Sequence, residues 1–312
     1  MTEAEEALAA WGGRGLPQLV KDRENAVFSV TLSDGRPGAL RLHRPGYQSI
    51  AAIRSELIWT EGLANAGLPV PRPQSTRSGE LLTILSTGRV ASLVEWLPGR
   101  PLGEAGISLG GTADRQIERF RDVGALLARL HNATDAMGLP DDFVRPAWDA
   151  ESLLGEHPLW GRFWENSALT SRETSLLQEA RRVARARLDR MRPTADFGLI
   201  HADLMRENIL IDGASVRVID FDDSGFGFRL YDLGTLMLQN LSEPTYDDLL
   251  AAAAEGYGAL RPIDPTQVPF FVFLRCLASC GWAQPRLPPG SPQLRSYAQR
   301  AVFQAELFLR RQ

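Results

Sequence analysis

The sequence predicts an α+β protein of two lobes, a small β-rich N-terminal lobe and a larger α-helical C-terminal lobe. Three observations predict it. Period-2 and short apolar runs dominate the first 96 residues, around one helical stretch. A Pro/Gly break, "PGRPLG" at 98–103, ends that pattern. Beyond it apolar residues recur mostly at helical spacing. The expected boundaries are 1–96 for the N-lobe, 97–103 for a hinge and 104–312 for the C-lobe.

In order, "AVFSVTL" (26–32) and "ALRLHR" (39–44) read as a hairpin joined by the turn-rich "SDGRPG". Residues 49–67 read as a helix, with Ser49 as N-cap, Gly67 as C-cap and Pro69 as a stop. "ELLTIL" (80–85) and "VASLVEWL" (90–97) are strand candidates. After the break, 112–134 carries Ile117, Phe120, Leu127 and Leu130 at helical spacing. Residues 141–170 are irregular and hold Trp148, Trp160 and Trp164. A helix over 171–191 with a charged outer face follows. Next come a strand, "FGLI", and a short hairpin, "ILIDGASVRVIDF", turning at Asp212-Gly213. Helices near 245–260, 265–282 and 291–311 finish the chain, the last opening on Ser291-Pro292.

Composition narrows the function. The chain is 44% hydrophobic and 23% charged with a net charge of −4, ordinary for a soluble globular protein. That balance gives no footing for nucleic acid or an anionic membrane as partner. No apolar run is long enough to span a bilayer. The acidic start, "MTEAEEALAAW", argues against a secretory signal, so the expected location is the cytoplasm. Cys276 and Cys280, at i,i+4 in an apolar segment, read as buried core residues. Lys21 is the single lysine, so any task of a buried lysine falls to arginine.

Chemistry gathers in "HADLMREN" (201–208) and "VIDFDD" (218–223). Clustered carboxylates must be protonated, paired or bound to a cation. Asp203 falls on a loop between regular elements, where side chains meet ligands. Phosphoryl transfer needs an aspartate that accepts the acceptor hydroxyl's proton, an asparagine five residues on that holds a metal ion, and a later aspartate bridging metal and phosphates. Asp203, Asn208 and Asp220 fit those places. The metal is Mg²⁺, because phosphates and aspartates are all anionic and a cation must neutralise both. His201 belongs to the same candidate catalytic set, with loop bracing its favoured role over proton transfer.

"HADLMRENIL" followed by "VIDFDDSGFGFRLYDLG" resembles the aminoglycoside phosphotransferase/choline kinase family, nearest its homoserine-kinase-like and bacterial stress-kinase-like branches. "ENAVFSV", "LRLHRPG", "SELIW", "VEWLPGRPL", "LLARLH" and "RFWENSAL" stand in that family's order, so the likeness covers nearly the whole chain. The resemblance implies a protein-kinase-like bilobal fold, with Asp203 as base and Asn208 and Asp220 on Mg²⁺. It implies that Asp232 of "YDLG" fastens the catalytic loop from behind.

Sites of that kind need a cation on the third strand to hold the nucleotide's phosphates and a helix glutamate to hold the cation. Arg41, between Leu40 and Leu42, and Glu56, bordering the apolar face of helix 49–67, are the expected pair. Arginine in place of lysine is a wider, planar fork. The phosphate-covering loop is placed at "KDRENAVF" (21–28), with Glu24 and Asn25 near its tip. "WGGRG" (11–15) follows no strand and is not read as that loop. The backbone of "VEWLPG", including Glu95 and Trp96, is expected to meet the nucleotide base. In "DFDD", Asp222 is a further metal candidate and Asp223 a substrate candidate, against the alternative that they cap the following turn. His131 reads as a helix-end residue. The short span from Asp220 to Asp232 leaves no room for a long phosphorylation-controlled loop.

The expected partners are ATP or GTP and a small hydroxylated acceptor such as an amino alcohol, homoserine or an aminoglycoside. The three tryptophans and the acidic run suit a hydroxylated amine through cation–π contact and ion pairing, unless they simply pack the lobe. A protein Ser/Thr kinase and a non-catalytic nucleotide-binding protein are the alternatives.

Overall fold

A computed structural model describes residues 2–22 and 25–311. Its first regular elements are α1 (Glu3–Ala10), β1 (Arg14–Asp22), β2 (Ala26–Thr31), β3 (Pro37–Leu42), α2 (Ile50–Asn65), β4 (Leu82–Ile84), β5 (Val90–Glu95) and β6 (Arg100–Pro101). Next are α3 (Ala113–Asp135), β7 (Ala147–Trp148), α4 (Ala150–Leu154), α5 (Ser171–Met191), β8 (Phe197–Ile200), β9 (Ile209–Asp212), β10 (Ser215–Val218) and β11 (Gly225–Phe228). Four helices finish it: α6 (Leu230–Leu238), α7 (Tyr246–Gly258), α8 (Val268–Ala283) and α9 (Pro292–Leu309). Among the described residues no helix is long and apolar enough to cross a membrane.

The chain forms two units. The first comprises Met1–Pro101, Asn132–Arg145 and Ile209–Asp222. Its main sheet is antiparallel with order β1-β2-β3-β5-β4. The β2–β3 hairpin runs from Ala26 opposite Leu42 to Thr31 opposite Pro37. Strand alternation divides β3 between two cores. Leu40 and Leu42 join α1, Trp11 and Leu93 in one cluster, while Ala39 packs with Ile53 and Leu57 of α2 in another. Arg41 shares the Ala39 face, so it is carried toward α2 and not into the α1 core. α2 starts where Ser49 Oγ accepts the Ala52 N–H at 3.1 Å, and the chain leaves it through Gly67 at φ +79°. Leu57 is fully buried, worth about 2–3 kcal/mol to the α2 contact. A second small sheet has order β10-β9-β6.

The second unit comprises Leu102–His131, Pro146–Asn208 and Asp223–Gln312. Its core joins Leu177, Ala180, Ala184 and Leu188 of α5, Phe271, Leu274 and Leu277 of α8, and Ala301 and Ala305 of α9. A three-stranded sheet, β7-β11-β8, places β11 antiparallel to β8 with Gly225 opposite Ile200. Cys276 and Cys280 are buried free thiols, pushed up to about 12 by that burial.

Five elements depart from the expected pattern. β1 carries Lys21 opposite Val27 and is exposed along nearly its whole length; with neither side covered it has no alternation to read, and it includes Pro17. α1 precedes it, closed by a Thr2–Glu5 capping box. "GFGF" is strand β11, not a turn through "SGFG". α6 has Tyr231 through Leu238 buried without exception, so no polar face marks it as helical. Within the expected break at 97–103, Arg100–Pro101 is strand β6, paired with Ile211 and Leu210 of β9.

Candidate active site

In the second unit, β8 runs into the loop that carries Asp203, and Asp232 near the start of α6 anchors it. The N–H groups of His201 and Ala202 donate to Asp232 Oδ2 and Oδ1 at 2.8 and 2.6 Å. Behind it, His131 Nε2–H donates to the same carboxylate at 3.1 Å, and His131 Nδ1 lies 2.8 Å from the Tyr257 hydroxyl. Burial works to raise the Asp232 pKa, but the His131 bond and the surrounding donors outweigh it and hold the carboxyl below its ordinary value. Burial keeps His131 neutral, lowered to about 4. His131 is thus a buried link, not a plain helix end.

Left-handed backbone marks one position in each unit. Ala202 at φ +64° and Asp220 at φ +68° are the positive-φ non-glycine residues among the described residues. Left-handed backbone costs such residues about 1–2 kcal/mol, and it persists where surrounding structure forces it. Both positions border or carry a candidate catalytic carboxylate.

Asp203 has a side chain 25% exposed, accessible but held. Arg275 Nη2 donates to its Oδ1 at 2.8 Å, and Asn208 Nδ2 donates to its Oδ2 at 3.0 Å and to its carbonyl at 2.8 Å. Asn208 therefore spends its NH₂ on the Asp203 residue. Its carbonyl oxygen receives no hydrogen bond among the described residues. The Asp203 N–H donates to His201 Nδ1 at 3.2 Å, which fixes Nδ1 as the unprotonated ring nitrogen. His201 is fully buried, a bracing geometry. Arg206, 1% exposed, ties the same loop to Asn240, Glu243 and the Ile107 carbonyl.

In the first unit, Arg41 Nη2 and Glu56 Oε1 form an ion pair at 2.6 Å, with side chains 9% and 2% exposed. Arg41 Nε, Glu56 Oε2 and Asp222 Oδ1 are buried without a hydrogen-bond partner among the described residues. Burial, then the charge of Glu56, raises Asp222 to about 7. Arg145 bridges this group: it donates to the Ala52 carbonyl of α2 at 3.0 Å and to the Asp222 carbonyl at 2.5 Å. Orphaned carboxylate oxygens fit a hard divalent cation, and an orphaned guanidinium N–H fits a phosphate oxygen.

The remaining candidates lie as follows. Asn25 Oδ1 accepts the Arg44 N–H at 2.9 Å, beside the β1–β2 turn; Glu24 lies outside the described residues. Glu95 ends β5 with its N–H on the Arg72 carbonyl at 2.8 Å, and Trp96 beside it is 37% exposed. The Asp223 carbonyl accepts the Trp148 indole N–H at 2.9 Å. The three tryptophans are buried and engaged by their own unit: Arg275 covers Trp160 at 4.4 Å, Arg181 covers Trp164 at 3.9 Å, and Trp148 stacks on Tyr231. They pack the unit, as the alternative to amine binding has it. Sequence reasoning missed Arg145, Arg206 and Arg275. Each acts on residues at least 30 positions away, beyond any local pattern.

The sequence profile of the phosphotransferase enzyme family matches residues 15–271. The chain belongs to this family. Amicoumacin kinase of Bacillus subtilis (strain 168) is 25% identical over 288 residues, covering 86% of this chain and 80% of the relative. Homoserine kinase of Pseudomonas aeruginosa (strain PAO1) is 32% identical over 220 residues, covering 69% of this chain and 61% of the relative. Among solved structures, a microcompartment-associated aminopropanol kinase superposes with a TM-score of 0.84 at 28% identity, covering 99% and 97% of the two chains. An amicoumacin kinase solved with AMP-PNP and Ca²⁺ gives 0.78 at 20% identity, a likeness of fold. This phosphotransferase therefore has the protein-kinase-like fold and is a kinase; ATP as co-substrate and use of a divalent metal go with the family.

Proposed function

We propose that this phosphotransferase moves the γ-phosphate of ATP to the hydroxyl of a small amino alcohol, with Mg²⁺ as the metal, in the cytoplasm. The observation that carries the reading is Asp203, an accessible carboxylate whose two oxygens are held by Arg275 and Asn208. Asp203 accepts the proton of the acceptor hydroxyl as that oxygen bonds to the γ-phosphorus and the bond to the β-phosphate oxygen breaks, releasing ADP. Arg41, steadied by Glu56, grips phosphate oxygens. Asn208 of the second unit, and Asp220 and Asp222 of the first, are each proposed as metal ligands. When bound, the metal neutralises charge building on the phosphates. Among the described residues no three His, Cys, Asp or Glu side chains group to hold a metal unaided.

The amino-alcohol acceptor is supported by the likeness to aminopropanol kinase across nearly the whole chain. An ADP-release assay with Mg–ATP and 1-amino-2-propanol, homoserine and an aminoglycoside tests it. Turnover with the amino alcohol, lost in Asp203→Asn, is the expected result. Turnover with homoserine alone would redirect the acceptor assignment, and equal turnover by Asp203→Asn would remove Asp203 from the chemistry.

A further inference from the structure

We infer that Arg275 is a positioning residue for phosphoryl transfer: it sets the direction of the Asp203 carboxylate and acts only through it. The inference rests on the reading of Asp203 as the base. Arg275 lies on α8, 3% exposed, and its guanidinium is fixed at three points. Nη2 donates to Asp203 Oδ1 at 2.8 Å, Nη1 donates to Ser279 Oγ at 2.8 Å, and the plane lies 4.4 Å over Trp160. Ser279 is one turn along the same helix, so brace and cation move together. Trp160 is packed edge-on to Trp148 at 4.9 Å, which leaves the ring little freedom.

A free aspartate carboxylate swings about two torsions. Here Asn208 holds one oxygen and Arg275 the other. Asn208 is also a proposed metal ligand through its carbonyl, so its hold on Asp203 is shared with another task. The other contacts of the Arg275 guanidinium are Ser279 Oγ and the Trp160 ring, and its Nε is buried without a hydrogen-bond partner among the described residues. Base catalysis needs the accepting oxygen within hydrogen-bond reach of the acceptor hydroxyl, and small misplacements are costly. A purely structural pair would neutralise a buried cation and leave the chemistry of the folded enzyme alone. The two roles separate experimentally.

Wild type, Arg275→Gln, Arg275→Lys, Ser279→Ala, Asp203→Asn and the double variant are compared by ADP release with Mg–ATP and 1-amino-2-propanol. Each is checked for folding by thermal melting, and Arg275→Gln and Ser279→Ala are crystallised. In Arg275→Gln, kcat falls on the order of 10²-fold while the KM for ATP stays within about 2-fold. Arg275→Lys recovers part of the loss, since charge returns without the fork. In the Asp203→Asn background, Arg275→Gln costs nothing further, which a structural role would not produce. The crystals show the Asp203 carboxylate turned from its wild-type rotamer. A folded Arg275→Gln with wild-type kcat, or with Asp203 unmoved, overturns the inference. If Arg275→Gln fails to fold, Ser279→Ala decides: Asp203 displaced supports it and Asp203 unmoved overturns it. Wild-type turnover by Asp203→Asn sinks the base assignment itself, a separate result.

Discussion

Asp203, Arg41 and Asp220 carry the sharpest consequences of single side chains. Asp203→Asn keeps the shape but cannot take a proton and leaves the buried Arg275 without a counter-charge, so kcat should fall about 10²–10⁴-fold and the melting temperature should drop as well. Arg41→Ala leaves Glu56 buried and unpaired; urea unfolding should show a loss of about 3–5 kcal/mol. Asp220 sits at φ +68°, which asparagine adopts at less cost than alanine. Asp220→Asn and Asp220→Ala should lose turnover alike, while the alanine variant alone loses about a further 1 kcal/mol of stability. These residues were legible in the sequence. Arg41 follows from period-2 alternation between two leucines, and Glu56 from its place beside the apolar face of a capped helix. Arg275 was not. It reads as one charge in the apolar "FFVFLRCLASCGW", and only the fold brings it to a loop 72 residues earlier.

Among the elements, α3 and α7 meet through glycine. A Cβ on Gly124 would lie 2.0 Å from the Ala253 carbonyl oxygen, and one on Gly256 would lie 2.0 Å from that of Arg121. Backbone faces backbone there, with no flexible side chain to give way. Gly124→Ala should force the helices apart and cost about 1–3 kcal/mol in urea unfolding, despite alanine's better helix propensity. An alanine variant as stable as wild type would refute the close approach. Helices with one apolar face, such as α2 and α5, were legible to within a residue or two of their ends. α6 and β1 were not, for opposite reasons: α6 is buried on every side and β1 on almost none, so neither leaves a period in its residues.

Over the whole molecule, two buried histidines contribute to acid lability. Burial lowers His43 to about 3 and His131 to about 4. An unfolded chain takes these protons near pH 6.5, so the unfolded state binds more protons between the two values. The histidines' contribution to stability therefore rises with pH up to about 6.5 and is lost as pH falls below it, while Asp222, raised to about 7 by burial, contributes the opposite slope. For His131 the loss approaches about 3 kcal/mol by pH 4. Urea midpoints of His131→Gln should be lower than wild type at pH 7, where the Asp232 link is gone, but should decline less steeply toward pH 5. Parallel decline would assign the acid lability elsewhere. Sequence alone suggested the two-part α+β organisation, yet not that the first unit gathers three separate stretches of chain, because that gathering is made by long-range packing.

Arginine occupies the buried cationic positions in both units, so reagents aimed at amines pass them by. The one ε-amine of the 312 residues is on Lys21, exposed on the open strand beside Val27. A fluorescent ester coupled there would tag the β1–β2 hairpin and spare Arg41, and lysine acetylation would have a single address in this chain.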